Sequence, residues 1–161
     1  MRHWSKWAPL PLRLVMGLGF MYHGFPKLFS TAGHDKFAGM LQSIGMPAPD
    51  TMAWIMAIIE VGGGLALLLG AWVAISAALL TIDMLVAMWT VHLLRGFNFT
   101  NIAGATEASP TFGTPGYEVN LLYIAGLLAL FLGGAGACAL DRPRSSKRVE
   151  VEAPSHAEAV R

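Results

Sequence analysis

Ionisable side chains interrupt the apolar stretches of this 161-residue chain, and their types could do chemistry. They are Arg13, His23, Lys27, Glu60, Asp83, His92 and Glu118. A charge in hydrocarbon costs at least about 2.5–3.5 kcal/mol, so such residues normally face a bundle interior and mark a site. Imidazole exchanges protons near neutral pH, which indicates proton-coupled chemistry.

The spacing of the ionisable residues and the single cysteine argue against metal and dithiol chemistry. His23, Glu60, His92 and Glu118 include no pair at i,i+3 or i,i+4, the spacing that di-iron helices require. Cys138 is the only cysteine, which excludes an intramolecular disulfide or a dithiol pair within one chain. The sequence therefore predicts no metal site.

Composition indicates the elements that must hold these residues. The chain is 55% apolar and 13% charged, against ~25% charged in soluble domains. Four stretches approach the ~20 residues of a transmembrane helix, over 9–29, 51–69, 73–94 and 117–140. The sequence predicts an all-α, four-helix transmembrane bundle over residues 1–141, with a disordered tail of basic and mixed composition over 142–161. The net charge of +1 argues against a nucleic-acid partner.

The connections set the order and orientation of these spans. Residues 70–72 allow only a tight turn, so the second and third spans are predicted to be antiparallel neighbours. A short interfacial helix is expected near 36–41, and the long connection over 95–116 suggests a lid or docking loop. Basic residues concentrate at both ends of the chain, which predicts that both termini are cytoplasmic in a multi-pass protein of the bacterial inner membrane.

Depth and helical phase divide the ionisable residues. His23 and Glu60 are predicted to form an inner site in the outer half of the bundle, with Lys27, His92 and Glu118 around its mouth. Asp83 lies nine residues before His92, about 900° of helix, which places the two on opposite faces. We therefore expect Asp83 and Arg13 to be structural.

Two sequence patterns resemble the DoxX family of small four-helix membrane proteins. R-x3-G-x2-F-x2-H-G-x2-K-L begins at Arg13, E-x-G-G-x-L begins at Glu60, and Glu118 enters the last span. The closing segment, 134–141, departs from the family's usual Gly-Pro-Gly and Ser-Leu-Asp pattern. The resemblance implies a role near quinone-linked sulfur, thiol or oxidative-stress oxidoreductases, as in relatives similar to the membrane subunit of thiosulfate:quinone oxidoreductase.

The leading hypothesis is a membrane component of a quinone-linked oxidoreductase system. His23 would bind a quinone carbonyl and move its proton, Glu60 would relay that proton, and Lys27, His92 and Glu118 would help to hold the cofactor. Lys27 would also draw an anionic sulfur substrate or a quinone headgroup. A non-catalytic scaffold that docks partners and a small proton-coupled transporter are the alternatives. The lipid bilayer is the expected partner, while redox partner proteins, a homo-oligomer and enzymatic turnover by the chain itself stay open.

Overall fold

The computed structural model of the protein describes residues 5–100, 102–105, 110–113 and 115–141. The predicted tail over 142–161 lies outside these residues. The described chain is predominantly helical, as predicted, with one short antiparallel hairpin of two strands. The elements are α1 (Pro9–Phe29), α2 (Thr31–Ser43), α3 (Pro49–Leu69), α4 (Val73–Ala87), α5 (Glu118–Gly133), β1 (Ile102–Ala105) and β2 (Pro110–Phe112).

Four helices surround the core, and α2 lies against two of them. α1 packs on α3, α3 on α4, α4 on α5 and α5 again on α1, while α2 contacts α1 and α3. The turn between α3 and α4 passes through the left-handed conformation at Gly70 and Trp72, and it confirms that these helices are antiparallel neighbours. α2 is the short helix expected before the second span, and it is longer than predicted.

Small residues bring α1 and α3 close together. A Cβ atom added to Gly17 would lie 2.8 Å from the Gly64 carbonyl oxygen, and one added to Gly64 would lie 2.8 Å from that of Gly17. Backbones that approach this closely exclude any larger side chain at the crossing. The core continues from there through Phe20, Leu80 and Leu127, which are buried.

Arg13 closes the end of the molecule at which α1 begins. Its side chain is 0% exposed, and its guanidinium donates five hydrogen bonds to backbone carbonyls. The acceptors lie at the end of α3 and just after α5: Leu67, Leu68, Ala135, Ala137 and Cys138. A cation is favourable at a helix C-terminus, where the last carbonyls lack partners within the helix. These contacts agree with the structural role predicted for Arg13.

The segment after α5 returns to the same end. Asp141 accepts hydrogen bonds from the backbone N–H groups of Trp72 and Val73, both at 2.8 Å, and so caps the start of α4. The backbone N–H of Ala137 donates to the carbonyl of Lys6 at 2.6 Å. The beginning and the end of the described chain therefore lie side by side.

Apolar helices that could cross a membrane form part of this assembly. Within the described ranges, Pro49–Leu69 and Val73–Arg95 are long and apolar enough to cross a bilayer, by length and composition alone. In each, only 28% of the most apolar 18-residue window is buried. α5 is a shorter apolar helix of 16 residues, and α1 carries Arg13, His23 and Lys27, which lower its hydropathy.

Candidate functional site

A cavity of about 450 Å³ lies between the helices, away from the end that Arg13 closes. All five helices contribute to its wall, together with the connection before α5. The lining is largely apolar and aromatic, and Phe20 packs edge-to-face with Tyr123 at a centroid distance of 5.4 Å. Four of the five predicted site residues line it: His23, Lys27, Glu60 and His92.

Lys27 and Glu60 form an ion pair in the wall of the cavity. The Lys27 ammonium donates to both carboxylate oxygens of Glu60, at 2.6 and 2.8 Å, and lies 4.0 Å from the centre of the Phe37 ring. The two side chains are only 17% and 7% exposed. Lys27 therefore lies inside the bundle rather than at its mouth, and its charge is balanced by Glu60.

Gly24 makes this pairing possible. A Cβ atom at Gly24 would lie 2.8 Å from the Cβ of Glu60 and 2.8 Å from a methyl group of Val61. The absent side chain lets α1 approach α3 where Glu60 emerges. Lys27, one turn after Gly24, then reaches the carboxylate across the helix interface.

Asp83 also lines the cavity, which the helical phase did not predict. It is 6% exposed and makes no hydrogen bond to any part of the chain that the structure describes. Glu60 and Lys27 line the same cavity. The prediction that Asp83 and His92 lie apart, on opposite faces, is wrong, because both residues line one cavity.

A π-helical turn explains this correction. α4 continues as a π-helix over Met88–His92, where the backbone N–H of Leu93 donates to the carbonyl of Met88, five residues earlier. A π-turn holds one more residue than an α-turn, so it shifts the phase of the residues after it by about 100°. This shift turns His92 from the opposite face towards the side on which Asp83 lies.

His92 has a defined proton position when its ring is neutral. Its Nδ1 lies 2.8 Å from the Pro115 carbonyl oxygen, in the connection before α5. A carbonyl can only accept a hydrogen bond, so Nδ1 carries the proton and donates. Nε2 of the neutral ring is then a hydrogen-bond acceptor available to a ligand.

The two remaining predicted residues occupy other places than expected. His23 lines the cavity but is exposed, and its ring lies edge-on against Tyr22, with a centroid distance of 5.6 Å. Glu118 is half-buried and is not among the lining residues; its carboxylate accepts a hydrogen bond from the Phe99 backbone N–H at 3.0 Å. His23 is therefore at the rim rather than inside, and Glu118 anchors the connection to α5.

Asn120 is a lining residue that was not predicted from the sequence. It is 5% exposed, and its amide approaches the Met84 sulfur at 3.9 Å. A neutral amide does not stand out beside ionisable groups. Its place as a single amide in the first turn of an otherwise largely apolar helix was the signal that could have identified it.

His34 holds α2 against α3, beside the cavity. Its Nε2 lies 2.9 Å from a carboxylate oxygen of Asp50 at the start of α3, and its ring stacks on Trp54 at 4.2 Å. α2 in turn contributes Phe37, Met40 and Leu41 to the cavity wall. This histidine holds a wall in place and does not line the cavity itself.

The cavity holds a balanced ion pair and a further carboxyl group. Lys27 and Glu60 neutralise each other, whereas Asp83 has no cation bound to it among the described residues. No group of three His, Cys, Asp or Glu side chains in the described chain is arranged to hold a metal ion. The arrangement offers hydrogen-bond acceptors within apolar walls, which suits an organic ligand of modest polarity.

Comparisons with known proteins give related sequences. The DoxX family profile matches residues 8–93. An uncharacterized protein of Haemophilus influenzae is 30% identical over 81% of this chain and 85% of its own length. An uncharacterized membrane protein of Mycobacterium tuberculosis is 29% identical over 85% of this chain and 80% of its own length. The Bacillus subtilis protein named "Putative oxidoreductase CatD" is 34% identical over 55% of this chain and 62% of its own length. No solved structure matches the chain.

Proposed function

This chain belongs to the DoxX family, and from that membership we propose that it is a multi-pass protein of the bacterial inner membrane whose cavity binds a quinone, as a component of an oxidoreductase system. The observation that carries the proposal is the cavity of about 450 Å³, in which proton-exchanging side chains converge within apolar and aromatic walls. The name of the Bacillus subtilis relative supports the redox part.

The outer surface of the helices supports the membrane part of the proposal. Large apolar side chains on α1, α3 and α4 face outward, including Leu18 at 60%, Ile58 at 58% and Ile82 at 58% exposure. Soluble proteins rarely expose contiguous apolar surface on this scale. α5, at about 24 Å, is shorter than the ~30 Å hydrocarbon core, and residues flanking it would complete a fourth span.

The proposed orientation depends on the side of the bundle at which the two ends of the described chain lie. Lys6 and Ala137 are hydrogen-bonded to each other, so the two ends of the described chain share one side. Basic residues follow Ala137 and precede α1 in the sequence. The positive-inside rule then makes that side cytoplasmic, and the cavity lies in the outer half of the bundle.

The size and chemistry of the cavity favour a quinone over more polar cofactors. Ligand pockets of ~300–1,000 Å³ with mostly apolar walls and a few fixed polar groups bind flat, drug-sized molecules. Phe20, Phe37 and Tyr123 supply faces and edges for ring packing. Glu60, Asp83 and His92 supply proton acceptors, which a carrier that takes up and releases protons with its electrons requires.

Quinone binding by the purified protein tests the proposal. The protein would be isolated from native membranes with its lipids retained, and bound quinone identified by mass spectrometry. It would then be titrated with a short-chain quinone in lipid nanodiscs. Ala87→Trp fills the cavity and should weaken binding at least about tenfold. Ile82→Trp places the same ring on the outer face of α4 and serves as the matched control.

Two results would contradict the proposal. Ala87→Trp and Ile82→Trp could leave quinone affinity equally unchanged, which would place any bound quinone outside the cavity. Alternatively, the wild-type protein could contain and bind no quinone while copurifying with partner proteins. That second result would favour the non-catalytic scaffold.

A further inference from the structure

Asp83 is a buried carboxyl-bearing side chain in the wall of the cavity. It is 6% exposed and has no hydrogen-bond partner in the described chain, although its carboxylate can accept about four hydrogen bonds. The carboxyl oxygens of Asp83 are not enclosed on every side, because the side chain lines the cavity. A donor for them can therefore come from the contents of the cavity.

The neighbours of Asp83 do not supply that donor. The ammonium of Lys27 directs two of its three N–H groups to the carboxylate oxygens of Glu60, and it makes no hydrogen bond to Asp83 among the described residues. His92 uses its Nδ1 proton on the Pro115 carbonyl and offers an acceptor at Nε2. Glu60, Asp83 and His92 therefore all present acceptors towards the same cavity.

On this basis we propose that the cavity selects the reduced, hydroxyl-bearing form of its ligand, a hydroquinone, over the oxidised quinone, and that Asp83 accepts a hydrogen bond from a ligand hydroxyl. This inference rests on the proposed function, since it specifies the redox form bound at the same site. A hydroquinone hydroxyl donates, whereas a quinone carbonyl can only accept. The reduced form thus matches the acceptors that line the cavity.

The preference is greatest when Asp83 is ionised. An ionised carboxylate accepts from a hydroxyl and repels a carbonyl oxygen, which carries partial negative charge. A protonated carboxyl can accept from a hydroquinone hydroxyl or donate its O–H to a quinone carbonyl, so it discriminates less between the two forms. Hydroquinone is therefore favoured in the ionised state and accommodated in both.

Charge also disfavours an anionic sulfur compound as the ligand. Its binding was expected to depend on Lys27, but Glu60 already neutralises that ammonium at 2.6 and 2.8 Å. An anion in the cavity would be repelled by Asp83 whenever that carboxyl is ionised, and repulsion is poorly screened in a setting of low polarity. A neutral hydroxyl donor avoids this repulsion.

The test compares three ligands of nearly the same shape on the wild-type protein in nanodiscs, under anaerobic conditions. They are a fully substituted short-chain hydroquinone, its quinone, and the hydroquinone with both hydroxyls methylated. The hydroquinone can donate a hydrogen bond to the carboxylate, whereas the other two ligands cannot. We therefore expect it to bind about 10- to 100-fold more tightly than the other two. Equal or tighter binding of the quinone or the dimethyl ether would overturn the inference.

Asp83→Asn identifies the residue responsible. The amide keeps the size of the carboxyl and adds a donor, so the preference for hydroquinone over quinone should fall to within about threefold. Asp35→Asn makes the same change on the exposed face of α2 and should keep the wild-type ratio. An unchanged ratio in Asp83→Asn would exclude Asp83 as the acceptor. If that variant fails to fold, the three-ligand comparison on the wild type still decides the preference.

The results also separate this inference from the proposed function. If no ligand of the three binds, the quinone proposal fails. If the quinone binds and Ala87→Trp prevents it, but hydroquinone is not preferred, the proposed function stands and the selection for the reduced form is wrong.

Discussion

Two regions of the bundle each bury an ionisable side chain, with opposite hydrogen bonding. At the end where α1 begins, Arg13 is 0% exposed and donates to five backbone carbonyls. In the wall of the cavity, Asp83 is 6% exposed and has no hydrogen-bond partner in the described chain. Both residues looked structural from the sequence. Satisfied hydrogen bonds mark Arg13 as part of the scaffold, and their lack marks Asp83 as part of a site.

Lys27 and Glu60 lie between these extremes. Each satisfies the other within the cavity wall, with a bidentate contact and little exposure. Such a pair fixes the geometry of two helices while keeping charged groups beside a ligand. Three substitutions test this series, with expected losses of stability that decrease from Arg13 to Lys27 to Asp83.

Arg13→Met should have the largest effect. It leaves carbonyls at the end of α3 and after α5 without their donor, and each buried unsatisfied group costs about 1–3 kcal/mol. We expect the folded yield to collapse, or the free energy of unfolding to fall by more than about 5 kcal/mol, since five carbonyls lose their donor. Reversible unfolding in mixed micelles measures this change. Lys36→Met, an exposed cation on α2, is the control, and similar losses in both variants would argue against a scaffold role for Arg13.

Lys27→Met should destabilise the protein less than Arg13→Met but still markedly. The substitution leaves the Glu60 carboxylate without its counter-ion. Removing one partner of a buried ion pair typically costs about 3–5 kcal/mol, or less where the cavity admits water. The double variant Lys27→Met with Glu60→Gln removes both charges and should recover much of this loss. A double variant as unstable as the single one would show that Lys27 acts through packing rather than through the pair.

Asp83→Asn should have the smallest effect on stability, and of opposite sign. The carboxylate has no hydrogen-bond partner to lose in the described chain. The free energy of unfolding of the ligand-free protein should therefore be unchanged or higher by up to about 2 kcal/mol, with a thermal midpoint that is unchanged or higher. Thermal unfolding of ligand-free protein in nanodiscs measures it. A clear loss of stability would mean that Asp83 has a structural partner, and would remove the contrast with Arg13.

Helical segments and their order could be predicted from local patterns. The tight turn at 70–72 predicted the antiparallel pairing of α3 and α4, and the structure has it. The short helix before the second span was also expected, although α2 runs over Thr31–Ser43. Turn residues and apolar runs determine such features within a few positions of one another, which is why sequence alone reveals them.

The hairpin of β1 and β2 was not predicted. The connection over 95–116 was expected to be a lid or docking loop, and within it the structure pairs Ile102 with Phe112. Short strands that pair only with each other produce a weak alternating pattern. The Gly116 N–H, which donates to the Asn98 carbonyl at 3.0 Å, then brings the connection back to α5.

The sequence by itself determined that this protein is helical, that it carries ionisable residues among apolar ones, and that His23, Lys27, Glu60 and His92 belong near one another. Those conclusions depend on composition and on the depth of each residue along its own helix. Only the tertiary structure decided that Lys27 pairs with Glu60, since that contact depends on how closely α1 approaches α3 at Gly24.

The tertiary structure also decided which residues point into the cavity. Helical phase accumulates along a chain, so one π-turn over Met88–His92 is enough to bring His92 and Asp83 to one cavity. His23 is exposed at the rim for the same kind of reason, because its direction depends on the rotation of α1 against its neighbours. Residue identity limits what a site can do, and packing between helices decides which residues form it.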